Sequence, residues 1–388
     1  MRNARRTRIA ATLLLVVPVA LYIAVYVVPL LSIVSLSVDN GTLSERFVQL
    51  SEAIDSEDRD QRAAALLRDL AAMDARERAE AARMLNQELG GFRSLLIDTG
   101  KAAAEIPPTM AGLIAFDARW GEQTYWNVLS RNLAPFTWRH FQKATGFKPD
   151  ETGRLQLADG DDIYLRIMLR TLVIALQVTV LTVLIGYPLA YAAANGSPGL
   201  RNFILTVVLL SFWTSILVRT TAWVVLLQSD GLINNLLLTL RLITEPMQLI
   251  FNRFGTVVSM THVLLPFAIL PMMNVMKTIP QSQSDASRSL GAGAIETFLR
   301  VYLPQSLRGV LVGGGTVFIL ALGFYITPAL TGGPSDQMVS YYIAEFVKKS
   351  LNWGMASVLS VILLLSVVVL LLLGAGLKRL LGRRTAEA

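Results

Sequence analysis

Residues 285–304 read Asp285-Ala286-Ser287-Arg288-Ser289-Leu290-Gly291-Ala292-Gly293-Ala294-Ile295-Glu296-Thr297-Phe298-Leu299-Arg300-Val301-Tyr302-Leu303-Pro304. They make a polar helix, a glycine break and a second amphipathic stretch, set between two long apolar runs. Pro280 with Ser282 or Ser284 can start the first helix, Asp285 lies near its positive end, and Gly291 lets the backbone turn without a Cβ clash. Ile295, Phe298 and Val301 then fall on one helical face. So short a helix-turn-helix has too little apolar surface to fold alone. It leans on its own spans with one side and offers the other to a partner.

The surrounding chain is built for lipid. Of its 388 residues 53% are hydrophobic and only 16% are charged, and the mean hydropathy is +0.51, a balance that excludes an ordinary soluble domain. Crossing about 30 Å of hydrocarbon takes about 20 helical residues. Six stretches qualify, near 9–36, 167–194, 203–227, 256–276, 309–330 and 356–377. The first follows Arg2, Arg5, Arg6 and Arg8, but its apolar run exceeds the roughly 7–15 residues of a cleaved signal core, so it reads as an uncleaved anchor. The predicted fold is therefore an all-α membrane protein with six transmembrane helices.

Lysine and arginine resist translocation, so their distribution sets the orientation. With the N-terminus inside, the cytoplasmic segments carry 13 basic residues against Arg241, Arg253, Lys348 and Lys349 in the short outer loops. Both termini and the glycine-broken loop are thus expected in the cytoplasm. Residues 39–165 hold 21 of the 28 acidic residues and 15 basic ones, leaving that segment at −6 and the rest at +13. A basic excess beside apolar spans points to topology and anionic lipid rather than nucleic acid.

The acidic segment is soluble in character and falls outside the membrane on this count. Leu66, Leu67, Leu70 and Met73 share one helical face, with Gly90-Gly91 as a stop, which predicts a helical hairpin or bundle. Its second half carries Trp120, Tyr125, Trp126, Phe136, Trp138 and Phe141, an aromatic density that suggests packing on the membrane face or on a partner. The run Glu57-Asp58-Arg59-Asp60 reads as a solvated helix face. Domain boundaries are expected at 1–38 for the tail and first span, 39–165 for the insertion, 166–378 for a five-helix core containing the loop 278–308, and 379–388 for a tail.

Chemistry is bounded by what is missing. Cysteine is absent and only His140 and His262 occur, which excludes disulfides and thiolate metal sites and argues against a histidine one. No Gly-x-x-x-x-Gly-Lys-Ser/Thr phosphate loop and no hydrolase elbow appears. The chain is read as a translocation subunit and not an enzyme, with no cofactor of its own.

The glycine-broken loop resembles the "EAA" loop of binding-protein-dependent ABC importer permeases: an acidic residue, two small residues, three variable ones, Gly, and Leu-Pro about a dozen residues later. Asp285, Ala286, Ser287, Gly291, Leu303 and Pro304 occupy those positions, with Asp for Glu and Ser for Ala as departures. Gly186-Tyr187-Pro188-Leu189-Ala190-Tyr191, Val218-Arg219-Thr220, His262-Val263-Leu264-Leu265-Pro266 and Thr327-Pro328-Ala329-Leu330 resemble the spermidine/putrescine branch. The resemblance covers 134–380 well, 1–36 loosely and 39–115 not at all.

The resemblance implies a type I importer permease in the bacterial inner membrane. Its coupling helix would run from Ser284 to Leu290, turn at Gly291 and Ala292, and insert into an ATPase subunit, with Phe298 supporting the second arm. ATP and Mg would be bound by that partner, an ATPase dimer. A second permease subunit, a different chain by resemblance, and a soluble extracytoplasmic binding protein would complete the assembly. A cationic polyamine would favour carboxylates and aromatic faces, which makes Trp223, Asp230, Tyr325, Asp336 and Glu345 the candidate path; capping by Asp230 and a turn at Asp336 are the structural alternatives.

Rival cargoes are an opine, an amino-acid derivative or another small organic solute. Rival classes are a secondary transporter or channel, which leaves the glycine-broken loop without a purpose, and an envelope receptor or scaffold acting through the insertion. Pro188, Pro266 and Pro271 suggest kinks, and Gly313-Gly314-Gly315 a close helix approach, either at a seam with a second permease or within one subunit.

Overall fold

The computed structural model describes residues 15–149, 155–157 and 162–384. The basic residues Arg2 to Arg8, the start of the first expected span and the last four residues of the expected tail lie outside them. Contacts divide the chain into two units, Met1–Ala158 with Phe346–Ile362, and Asp159–Glu345 with Leu363–Ala388. The segment ahead of the last span and that span's first ten residues, expected with the five-helix core, thus group with the insertion.

In the first unit, α1 (Leu15–Leu36) is a 22-residue apolar helix with none of its span buried in the structure. The insertion follows as α2 (Gly41–Ser44), α3 (Val48–Ala53), α4 (Arg59–Ala72), α5 (Ala75–Asn86), α6 (Phe92–Lys101), α7 (Met110–Phe116), α8 (Gln123–Leu133) and α9 (Arg139–Thr145). A hairpin of β1 (Phe147–Pro149) and β2 (Leu155–Leu157) closes it.

Local signals fix these helices. Asp58 caps α4 through the amides of Asp60 and Gln61, and Asp74 and Glu77 form a reciprocal capping box on α5. Asp60 reaches across to accept from the Met110 amide at 2.7 Å, so the acidic run caps and crosslinks as well as facing solvent. Leu66, Leu67, Leu70 and Met73 are all buried, as the periodicity predicts. Gly91 takes φ +99°, where a Cβ would press on the Tyr125 hydroxyl at 2.8 Å.

The aromatic half divides in two, which corrects the expectation that it all faces membrane or partner. Trp120, Tyr125 and Trp126 lie inside the insertion's own core, with Trp120 Nε1 donating to Thr99 Oγ1 at 3.0 Å and Trp126 Nε1 to the Trp120 carbonyl at 2.8 Å. Phe136 and Trp138 stay exposed. Eight helices stacked on so few residues need large anchors, and the indoles supply apolar area while their N–H groups remain bonded.

The chain that enters the last span is held by α5. Arg83 Nη1 donates to the carbonyls of Ser350 at 2.9 Å and Leu351 at 3.1 Å, Gln87 Nε2 donates to Ser350, and Asn352 Nδ2 donates to Gln87 Oε1 at 2.8 Å. Leu351 adopts φ +51° there. Beside it His140 packs so closely on Gly354 that no Cβ could be added without displacing the ring.

Burial first, and then the charges of Arg139 and Lys143, push the His140 imidazole down to about 4. The unfolded chain therefore takes up a proton between about pH 6.5 and 4 that the folded chain refuses, so stability falls as pH drops through that window, by up to ~3 kcal/mol in full. Thermal unfolding of the solubilised protein should shift down between pH 7.5 and 5, and His140→Gln should flatten the shift. An equal pH dependence in both proteins would refute this assignment.

In the second unit, α10 (Ile163–Asn195), α14 (Arg253–Met276) and α16 (Ala294–Gly323) form the centre. Between α10 and α14 come α11 (Pro198–Trp213), α12 (Ile216–Leu227) and α13 (Leu232–Thr239), and between α14 and α16 the short α15 (Gln281–Ser289). After them come α17 (Ile326–Thr331) and α18 (Val339–Glu345), and α19 (Trp353–Arg384), which carries the last span, enters this unit at Leu363. Small and flexible residues make the seams: Ala175, Ala268, Ala321, Met260 and Met272 are buried. A Cβ on Gly313 would stand 2.8 Å from the Ala268 carbonyl, and one on Gly314 3.3 Å from Val183. Gly313 and Gly314 therefore pack α16 on α14 and α10 within one subunit, while Gly315 is exposed with no atom near the place of a Cβ.

Two expected spans are corrected. The stretch 203–227 is broken at Thr214-Ser215, where Thr214 Oγ1 bonds the Leu210 carbonyl at 3.1 Å and both residues turn extended. The apolar span then runs Ile216–Thr239, with Pro198–Trp213 as a shorter apolar helix. The fifth span starts at Ala294 rather than 309 and ends at Gly323 rather than 330. Pro328 has no N–H for the Phe324 carbonyl, and Ser340 Oγ donates to that carbonyl instead at 2.6 Å.

Candidate functional site

The first arm of the glycine-broken loop, α15, begins at Gln281, a turn earlier than expected. Asp285 accordingly sits in its second turn and not at the positive end. The helix stops in a Schellman arrangement: the Gly291 amide donates to the Arg288 carbonyl at 3.0 Å and the Ala292 amide to the Ser287 carbonyl at 3.2 Å. That closure needs a left-handed residue, and Gly291 takes φ +93° with no atom near the place of a Cβ.

The second arm is the start of α16. Its residues Phe298–Tyr302 widen into a π turn, with the Leu303 amide donating to the Phe298 carbonyl. Pro304 follows directly, and its missing N–H and ring would disrupt an ordinary α turn at the Arg300 carbonyl. Ser287 Oγ and Thr297 Oγ1, 3.2 Å apart, tie the two arms. Leu290 is 90% exposed and Ile295 76% exposed, on either side of the turn. A shallow depression next to Ile295 is lined by Gly293, Ala294, Glu296, Leu299 and Arg300.

An aromatic clamp fastens this loop to the end of α10. The Phe298 ring lies 6.4 Å from Tyr187 and 5.7 Å from Tyr191, and Tyr302 lies 5.1 Å from Tyr191. Tyr187 and Ser306 hydroxyls are 2.7 Å apart, and Asn195 Nδ2 donates to the Tyr302 hydroxyl at 2.6 Å. Residue-by-residue reading singles out Phe298 but not Tyr191, Asn195 and Tyr302 as its partners. The signal available was the i, i+4 aromatic spacing at 187/191 and 298/302.

The candidate path residues are not drawn together. Trp223 Nε1 donates to His262 Nδ1 at 3.2 Å, within the spans. Asp230 is exposed beyond α12 and its side chain does not cap α13, whose N-cap is Gly231. Tyr325 is half-buried at the entry to α17 and Glu345 half-buried at the end of α18. Asp336 is buried in the turn Pro334–Asp336 and paired with Arg253 Nε at 3.1 Å. Its carboxylate therefore neutralises a cation of this chain. Arg219 Nη1 reaches the Val263 carbonyl at 3.5 Å, linking α12 to α14.

Residues 182–387, which contain the loop and its clamp, match the family model for a binding-protein-dependent transport system inner membrane component. The chain is 26% identical over 224 residues to the spermidine/putrescine transport system permease protein PotB of Escherichia coli (strain K12), covering 58% of this chain and 82% of that protein. It is 30% identical over 234 residues to the inner membrane ABC transporter permease protein YdcU of the same organism, covering 56% and 72%. Among solved structures it is similar to a bacterial alginate ABC transporter in complex with alginate pentasaccharide-bound periplasmic protein, at 17% identity and a TM-score of 0.46 over 74% of this chain and 97% of that one.

Proposed function

Because the chain belongs to the family of binding-protein-dependent transport system inner membrane components, we propose that it forms the import path for a polyamine and is driven by a separate ATPase docked on residues 278–308. The observation that carries the coupling role is the pair of large apolar side chains, Leu290 and Ile295, left exposed on a turn that the Schellman closure at Gly291 holds rigid. Two such residues at the tip of a fixed helix make an anchor for a cleft in a partner.

In this reading ATP and Mg are bound by an ATPase dimer, and its closure displaces α15. The Ser287–Thr297 contact passes the displacement to α16, and the Phe298, Tyr191 and Tyr302 rings pass it to α10. A loaded soluble binding protein docks on the opposite face, and a second permease chain supplies the other half of the path. Both termini lie in the cytoplasm, a placement supported by the 13-to-four partition of basic residues.

Polyamine as cargo is supported by the similarity to PotB. Trp223, Asp230, Tyr325 and Glu345 remain the groups to test along the path, while Asp336 serves the fold through Arg253. The decisive experiment is gentle extraction from the native membrane. A stoichiometric ATPase should come with this chain, and its absence would refute the coupling role. Thermal shift of the co-purified binding protein should respond to spermidine or putrescine, and a response to an opine or amino-acid derivative alone would replace the cargo.

A further inference from the structure

The insertion is absent from the family-matched region, and its exposed aromatics are unexplained by import. Their position is fixed by the end of α1 and the first turns of α19, which belong to the same unit. At the first, α1 ends at Leu36 and the chain immediately joins the segment before α9: the Thr137 amide donates to the Val38 carbonyl at 2.8 Å, the Asn40 amide to the Pro135 carbonyl at 2.9 Å, and Asp39 bridges Phe136. Asn40 Nδ2 adds a bond to the Asn132 carbonyl at 2.6 Å. Val38 is two helical residues past the span, which is about 3 Å along a helix axis, whereas the headgroup layer extends about 5–8 Å beyond the hydrocarbon.

At the second, α9 meets the start of the last span, where His140 packs on Gly354. The residue before it, Trp353, opens a span running Trp353–Gly374 and is 53% exposed. Residues 135–140 are thus pinned between the end of one span and the beginning of another, both at the bilayer boundary.

At that level the side chains change character. Phe47, Phe92, Trp120 and Trp126 are buried and Phe116 is 42% exposed, whereas Phe136 is 73% and Trp138 67% exposed, with Trp138 and Phe141 rings 5.6 Å apart. Arg131 and Lys143 are exposed on the helices flanking them. Aromatic rings with cations beside them are favoured in the headgroup region, where the indole of Trp138 keeps its N–H wet, the rings displace interfacial water and the cation meets phosphate.

We propose that Phe136, Trp138 and Trp353 form an aromatic anchor that seats the 39–145 insertion in the phospholipid headgroup layer. The insertion is then a membrane-surface element held at the mouths of the first and last spans, and not a freely projecting receptor. The occupant of the exposed aromatic face is lipid, and the proposal depends only on the spans, not on the cargo or the ATPase.

Because the chain has no cysteine, Phe136→Cys and Trp138→Cys each give a single site for a nitroxide in the full-length protein. Asp98→Cys, exposed on α6, gives the aqueous reference. In vesicles of phosphatidylethanolamine and phosphatidylglycerol, the ratio of oxygen to nickel-chelate collision should be several-fold higher at 136 and 138 than at 98. Equal ratios at all three sites overturn the proposal, and so does loss of collision with both reagents at 136 and 138, which means a protein covers them. As a check on unlabelled protein, vesicles with bromine close to the headgroup should quench more fluorescence in the unsubstituted chain than in Trp138→Phe. No difference between the two also overturns it.

Discussion

Leu290→Asp is expected to release the ATPase while leaving the permease folded and inserted. The side chain is 90% exposed, so nothing in this chain loses a contact, and a surface change of this kind costs within about 0.5 kcal/mol of stability. In the proposed complex the same side chain enters a cleft, and losing a buried apolar anchor costs about 2–4 kcal/mol, or roughly 30- to 1000-fold in affinity. A carboxylate left in that cleft adds to the loss. Titration of purified ATPase onto the reconstituted permease, with substrate-stimulated ATP hydrolysis as second readout, measures this. Retention of the ATPase at normal affinity would end the assignment of α15 as the coupling element.

Gly291 separates geometry from contact in the same loop. Its φ of +93° lies in the left-handed half of the map and nothing occupies the place of a Cβ, so a side chain there meets backbone strain alone. Gly291→Val should strain the turn by about 1–2 kcal/mol and re-aim Leu290, whereas Gly291→Asn, which tolerates left-handed backbone, should uncouple less.

Trp120→Ala carries the largest expected stability effect. Trp120 is fully buried, is 5.6 Å from Trp126 between ring centroids, and leaves Thr99 Oγ1 without its donor when truncated. Removing such an indole costs about 3–5 kcal/mol. The loss should appear as faster hydrogen exchange across 59–133, with protection of 294–323 unchanged because those residues belong to the other unit. Trp120→Phe should lose less. Unaltered exchange over α4 and α8 would show that the indole is not the keystone of this core.

Elements with strong periodicity or strong punctuation were legible from residues alone. The leucine face at 66–73, the helix-turn-helix around Gly291 and six apolar spans all follow from local rules that neighbours did not override, whereas the helix expected to stop at Gly90-Gly91 ends at Asn86 and Gly91 caps the next one. The break at Thr214-Ser215 was hidden because hydropathy averages over two hydroxyl residues. The early start of the fifth span was hidden because a π turn absorbs Pro304.

Sequence by itself determined the class, the span count and the glycine turn at Gly291, since apolar length and backbone chirality act within a few residues. Only the tertiary structure decided which aromatics are core and which are surface, that Asp336 is held by Arg253, and that Tyr191 and Tyr302 clamp the loop. Those outcomes depend on which distant side chain arrives to bury a ring or neutralise a charge. Residues 83 positions apart in sequence, such as Arg253 and Asp336, leave no mark in local composition.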